Sequence, residues 1–379
     1  MLRNVIKTNF IFTTRAVRSK VGGAVNPENG HVSDFFETTP KQYEGQKVLK
    51  KLNFDHIPIE QQATIFFPGQ GAQFVGMLEK TKKQNPKALE LFERASAILG
   101  YDLLKVIDDG PSTKLTQTLY CQPAMVVSSL VGYENLKLER PNITETVTSM
   151  AGFSVGEYAA AIASEMMSFE DGIQFVKRRA EAMDKCCQLT ASKMVVISVK
   201  ADSRLQALIE TARAFATEAG EVPLCETSIY LFTGHQVLGM SECCYDFISK
   251  NHTNYNVKVI KELPVAGAFH TRLMSEAVNE LKIEASKLNV NYPICNMYSN
   301  YTGALFERKK RSIRNNLLHQ ICGPVKWEQI QQLIYRNHEK VNGTYSFPMY
   351  YEVGPGKSLG AMWANVSKKA FKNYKHISC

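Results

Sequence analysis

"ETVTSMAGFSVGEYAAAIASE", residues 145–165, decides how this chain is read. The run "ETVTSM" has the character of a short strand, and the alanine-rich run from Val155 has the character of a helix. Between them lies the pattern G-x-S-x-G: Gly152, Ser154 and Gly156. A strand that turns sharply into a helix is the setting of a nucleophile elbow. Glycines flank such a serine because the turn is tight and backbone crowds it. The helix N-terminus would direct N–H groups and a partial positive charge at the site, as an oxyanion hole requires. The N–H of Val155, just after the serine, is one expected donor. The same pattern also occurs by chance at loops and helix N-caps, so its surroundings must carry the argument.

Outward from the elbow, "ATIFF" (63–67) reads as a second apolar strand, followed by the turn "PGQGAQ" (68–73). "PKALELFERASAILG" (86–100), "CQPAMVVSSLVGYENLKL" (121–138) and "FEDGIQFVKRRAEAMDKCC" (169–187) read as helices. Strands alternating with helices imply a parallel α/β sheet. Residues 194–263 break that rhythm with the order β-α-β-β-α-β, the signature of a ferredoxin-like unit. The expected fold is thus α/β: an α/β-hydrolase-like parallel-sheet body with an inserted ferredoxin-like small domain. The body should occupy 61–190 and 264–379, and the small subdomain 191–263.

The first residues differ in kind. "MLRNVIKTNFIFTTRAVRSKVGG" carries Arg3, Lys7, Arg15, Arg18 and Lys20, with no acid before Glu28. Apolar residues are interspersed with those charges and with Thr and Ser. This composition reads as a mitochondrial transit peptide over 1–22, against the plainer reading of a basic tail. Residues 23–60 are polar and rich in Pro and Gly, and read as a linker or a surface arm. The formal charge is +9, of which five charges lie in the leader; a processed chain keeps only four. The basic balance is therefore weak support for nucleic-acid binding, and none is expected. No apolar run in the sequence is long enough to span a bilayer, so no membrane role is expected. The nine cysteines show no C-x-x-C or zinc spacing. Reduced thiols and no metal site are expected.

A nucleophilic serine needs a base. Of eight histidines, His270 in "VAGAFHTRLM" stands just before a helix, where a side chain can project into a cleft. A buried structural histidine is the competing reading.

Seven segments resemble, in order and spacing, the malonyl-CoA:acyl carrier protein transacylases, and in particular their mitochondrial form. They are "IFFPGQGAQFVGML" (65–78), "CQPAM" (121–125), "GFSVGEYAA" (152–160), "RRAEAM" (178–183), "GAFHTRLM" (267–274), "PVKWEQ" (324–329) and "YEVGPGKSLG" (351–360). The resemblance covers roughly residues 60–375. It implies a Ser154–His270 dyad. The histidine would be oriented by a backbone carbonyl, which we place in the "PVKW" stretch near Lys326. It implies an oxyanion hole from the backbone N–H groups of Gln70 and Val155. It implies Arg179 as the holder of the malonyl carboxylate, and Gln122 as a lining residue of the same pocket.

The arginine makes physical sense, since a planar guanidinium binds a carboxylate through a two-pronged contact and a neutral acyl group would leave it unpaired. Arg178, Arg179 and Lys177 together could equally be a solvated face; only the motif register selects Arg179. Phe269, before the histidine, would fill the space that an α-methyl needs. The resemblance further implies malonyl-CoA and an acidic, phosphopantetheinylated acyl carrier protein as partners, no cofactor, a monomer, and the mitochondrial matrix. The basic runs "KTKK" (80–83) and "ERKKRSIR" (307–314) are either solvated faces or docking surfaces for that carrier. The chain departs from the bacterial pattern at Phe153, where histidine is usual. It also carries Ile229 where the family has an asparagine, so that polar contact is not carried over. The competing enzyme class is an α/β-type serine hydrolase or thioesterase, which would want an acid between serine and histidine in chain order.

Overall fold

The computed structural model describes residues 51–341 and 344–379. The expected transit segment, and the arm as far as residue 50, lie outside the described residues. Thirteen strands are described: β1 (Ala63–Phe67), β2 (Val147–Gly152), β3 (Ser192–Ser198), β4 (Cys225–Phe232), β5 (His235–Ser241), β6 (Lys258–Glu262), β7 (Asn296–Ser299), β8 (Ala304–Leu305), β9 (Val325–Lys326), β10 (Glu339–Val341), β11 (Thr344–Ser346), β12 (Met349–Val353) and β13 (Tyr374–Ile377).

The fold is α/β. The larger sheet runs β13-β12-β1-β2-β7-β8. Its first five strands pair in parallel, and β8 closes the edge antiparallel to β7. Every residue of β1 and β2 is buried. That is why "ATIFF" reads as a continuous apolar run rather than an alternating one: a central parallel strand is covered on both faces. The helix Thr118–Glu139 is buried along most of its length, as its nearly all-round apolar sequence requires. Strand β2 starts two residues later than "ETVTSM" suggests. Ile143–Thr146 form one short helical turn first, and the Thr146 hydroxyl bonds back to the Ile143 carbonyl.

The smaller sheet runs β6-β3-β5-β4-β9. Its first four strands come from residues 192–262 and pair antiparallel. The helices Leu205–Glu218 and Glu242–Asn251 cover it, and Val195, Ile197, Leu208, Leu238 and Met240 belong to its own core. The sequence did not signal its fifth strand. Val325–Lys326, from far downstream, pairs in parallel with Ile229–Tyr230 and ties the small sheet to the chain that has returned to the body.

Two adjacent strands position the site. Residue Phe67 at the end of β1 is in register with Gly152 at the end of β2. The turn holding Gln70 and the turn holding Ser154 therefore emerge side by side from the carboxyl ends of neighbouring parallel strands, where ligands of open α/β sheets bind.

Candidate active site

The Ser154 elbow is built by close approach. A Cβ on Gly152 would lie 2.0 Å from the Gly156 carbonyl oxygen, and one on Gly156 2.3 Å from the Phe67 carbonyl oxygen. No side chain fits either place, which is the physical content of G-x-S-x-G. Ser154 itself adopts φ +53, a left-handed conformation that an ordinary residue avoids. Such strain persists where surrounding contacts over-determine it. Asn300 supplies them: its Oδ1 accepts from Ser154 N at 2.7 Å, and its Nδ2 donates to the Gly152 carbonyl at 2.7 Å. Gln320 Nε2 donates to the Ser154 carbonyl at 2.6 Å. The helix Gly156–Ala163 follows at once. The N–H groups of Val155 and Gln70 meet no protein acceptor among the described residues. Phe153 packs edge-on against Trp327, ring centroids 5.5 Å apart, so the position before the serine is apolar and filled.

His270 also has positive φ, +60, and is buried. Its Nε2 lies 2.6 Å from Ser154 Oγ, and its Nδ1 lies 2.7 Å from the Gln320 carbonyl oxygen. A carbonyl only accepts, so Nδ1 carries the hydrogen and Nε2 presents a lone pair to the serine hydroxyl. Burial, followed by the charge of Arg179, pushes its pKa down to about 3. The imidazole is thus neutral and ready to act as a base. Phe269, beside it, is buried in the main core.

The carbonyl that orients the histidine corrects the expectation from sequence. It belongs to Gln320, at the end of the helix Lys310–His319, and not to the "PVKW" stretch. Val325 and Lys326 are occupied as strand β9, and the Lys326 N–H donates to the Asn300 carbonyl.

Arg179 is 1% exposed, in the middle of the helix Phe169–Leu189. Its Nη1 donates to Gln122 Oε1 at 2.6 Å and its Nη2 to Gln320 Oε1 at 2.9 Å. The guanidinium lies 5.3 Å from the centroid of the Tyr158 ring, and its Nε has no partner. Burial pulls its pKa below the usual arginine range. Its hydrogen-bond partners are neutral amides, which share its protons without cancelling its charge. A buried cation so placed is costly until an anion joins it.

Ser154, His270, Arg179 and Gln122 are therefore linked through direct hydrogen bonds and Gln320. Three residues with roles here were not singled out from the sequence: Gln320, Asn300 and Glu157. Glu157 is wholly buried beneath the elbow; its Oε2 accepts from Asn300 N at 3.0 Å and from Gln320 Nε2 at 3.2 Å. Only Glu157 had a local signal, a charged residue inside the otherwise apolar run "VGEYAAA". Among the described residues no cluster of three or more His, Cys, Asp or Glu could hold a metal ion, and no helix is long and apolar enough to cross a membrane. All nine cysteines are unpaired.

Residues 64–210 match the acyl transferase domain family. The chain is 37% identical to the mitochondrial malonyl-CoA-acyl carrier protein transacylase of Homo sapiens, over 84% of this chain and 80% of that protein. It is 28% identical to the malonyl CoA-acyl carrier protein transacylase of Escherichia coli K12, over 79% of this chain and 90% of that one. Among solved structures, it resembles the acyl-carrier-protein S-malonyltransferase of Burkholderia pseudomallei with TM-score 0.73 at 25% identity, covering 83% of this chain and 96% of that one.

Proposed function

The chain belongs to the mitochondrial malonyl-CoA-acyl carrier protein transacylases, and from that membership we propose that Ser154 carries the malonyl group between the two thiols of the reaction. The enzyme is an acyltransferase that takes malonyl from malonyl-CoA and delivers it to acyl carrier protein, serving mitochondrial fatty acid synthesis. In the first half, Ser154 Oγ attacks the thioester carbonyl as its proton passes to His270 Nε2. Negative charge on the carbonyl oxygen is received by the N–H groups of Gln70 and Val155. The C–S bond breaks, and the imidazolium returns the proton to the leaving thiolate. In the second half, the phosphopantetheine thiol of the carrier gives its proton to His270 and attacks the malonyl-serine ester. The C–O bond breaks and Ser154 recovers the proton.

The observation that carries this reading is the buried, charge-unbalanced Arg179, tied to His270 through Gln320. A hydrolase for neutral esters has no use for such a cation, whereas a malonyl carboxylate balances it. Phe269 would exclude an α-methyl. The reaction needs no cofactor, and a single chain supplies the dyad and the arginine, so a monomer suffices. The small sheet's order, fourth-first-third-second by its own chain order, supports reading residues 191–263 as a ferredoxin-like subdomain inserted in a hydrolase-like body. We place the enzyme in the matrix; residues 1–22 fused to a reporter should carry it there. The exposed Arg308, Lys309, Lys310 and Arg311 of the run 307–314 fit an acidic carrier by charge.

The test is direct. Malonyl-CoA alone should add one malonyl mass to the protein on Ser154, and Ser154→Ala should remove it. An adduct that survives that substitution, or maps to a cysteine, refutes the assignment.

A further inference from the structure

Among the buried titratable groups, Glu157 is the one that the reaction above leaves unused while it touches the reaction's supports. It is wholly buried on the first turn of the helix behind the nucleophile. Its Oε2 receives two donors, Asn300 N and Gln320 Nε2. Those two residues do different work on the same turn. Asn300 grips Ser154 N and the Gly152 carbonyl, while Gln320 grips the Ser154 carbonyl. Gln320 also receives His270 Nδ1 on its main-chain carbonyl and Arg179 Nη2 on its side-chain oxygen. One carboxyl group thus sits under Asn300 and Gln320, which between them contact the serine's main chain, the base and the arginine. We propose that Glu157 is a positioning residue: it holds Asn300 and Gln320 in the places from which they fix the nucleophile's main chain, the histidine and the arginine. The proposal deepens the reading of the site given above and rests on it.

The second oxygen of Glu157 sharpens the point. Oε1 is buried and has no hydrogen-bond partner. Neither Asn300 N nor Gln320 Nε2 reaches it, so it is free to hold a proton. Burial lifts the carboxyl to about 8, opposed by the bonds from Asn300 and Gln320 and by Arg179. Arg179 on the helix Phe169–Leu189 and Tyr158 on its own helix are the charged and titratable groups that act with it. Asn300 and Gln320, from the other elements packed on it, are neutral, and His270 beyond Gln320 is held neutral by burial. Below about pH 8 Glu157 is a neutral acid, and Arg179 faces the acyl carboxylate alone. Above it, a second negative charge shares the arginine, and a malonyl group is held less tightly. A neutral acyl group should not sense that step.

Glu157→Met and Glu157→Gln test this together: methionine removes the acceptor of both donors, whereas glutamine can keep an oxygen where Oε2 receives Asn300 N and Gln320 Nε2, set its NH2 where Oε1 lies, and remove only the ionisation. Transfer of malonyl and of acetyl should be measured from pH 6 to 9.5, per site that malonyl-CoA can load as read by mass spectrometry, with thermal melts alongside. Glu157→Gln should melt as the wild type does. In Glu157→Met kcat should fall roughly 10- to 100-fold for both acyl groups, the scale of a small misplacement of reacting groups, while Glu157→Gln should keep kcat near that of the wild type. The several-fold rise in malonyl KM expected of the wild type on passing pH 8 should be absent from Glu157→Gln. Glu157→Asp should keep that pH step with a reduced kcat. Unchanged kcat per loadable site in Glu157→Met overturns the proposal, whether the loadable fraction holds or falls; in the second case Glu157 only supports the fold. The substrate reading fails separately: it falls if Arg179→Ala leaves the malonyl-to-acetyl ratio unchanged. The kcat comparison at Glu157 still stands for whichever acyl group loads Ser154.

Discussion

The two faces of the helix Phe169–Leu189 hold adjacent arginines in opposite circumstances. On the outer face, Arg178 reaches Glu181, Glu280 and Glu284, all partly exposed to water. Nearby, Lys185 pairs with Glu280. On the inner face, Arg179 is buried against amide oxygens and a tyrosine ring, with one nitrogen unpartnered. The outer region has carboxylates in plenty for its cations, and water screens them all. The inner region has taken an expensive charge out of water with no carboxylate in hydrogen-bond contact; buried Glu157, within its electrostatic reach, bonds Asn300 and Gln320 instead. An arrangement that lowers stability in that way persists where a ligand's charge completes it. The helix thus separates solvated ion pairs from the buried ion that we propose selects substrate.

The largest test of this contrast lies at the residue that joins the inner region to the chemistry. His270→Ala should cut transfer by roughly two to four orders of magnitude, the usual worth of a general acid–base group, with little change in malonyl-CoA binding. Near-normal transfer would move the base elsewhere. Because burial holds the imidazole neutral, wild-type kcat/KM should show no acid limb near 6.5. The same burial makes acid destabilising. With a folded pKa near 3 and an unfolded value near 6.5, the unfolded chain binds more protons between them. Stability should be full above pH 6.5 and decline as pH falls toward 3. Melting curves across that range should show His270→Gln less acid-sensitive than the wild type.

The next effect separates the two faces themselves. Arg179→Ala loses a charge-assisted, two-pronged contact worth on the order of 2–5 kcal/mol. Malonyl transfer should fall tens- to thousands-fold while acetyl transfer holds or rises. An unchanged ratio of the two would sink the assignment of the arginine. Arg179→Lys should have a smaller effect, because an ammonium recovers the charge but not the planar geometry. Arg178→Ala should matter least: at most about 1 kcal/mol of stability and no change in the malonyl-to-acetyl ratio. A collapse of selectivity in that variant would mean that the faces have been assigned in reverse.

The small sheet shows how far pattern carries. Its four local strands were legible because each holds a short run of β-branched or other apolar residues near a turn or helix signal. Strand β9 was not, since two residues from a distant segment carry no periodicity of their own. The same limit applies in the site. The elbow was legible because its five residues are contiguous, although one of the contacts that demand its glycines, 2.3 Å to the Phe67 carbonyl, comes from β1. Arg179 was legible only through the register of its motif; beside Arg178 and Lys177, composition alone cannot say which side chain turns inward.

By itself, then, the sequence determined what is encoded in side-chain chemistry at short range: the strand–turn–helix at Ser154, the α/β order of the body and the β-α-β-β-α-β order of 191–263; His270 was singled out as the base through the resemblance. Tertiary structure alone decided which main-chain carbonyl orients the base, and it chose Gln320 over the neighbourhood of Lys326. Every residue carries a carbonyl, so none is marked in the sequence, and only the path of the chain brings one within 2.7 Å of an imidazole nitrogen. The same holds for Asn300 and Glu157. An asparagine is ordinary until its amide meets both sides of a strained turn, and a glutamate in a helix is ordinary until the fold removes every water around it.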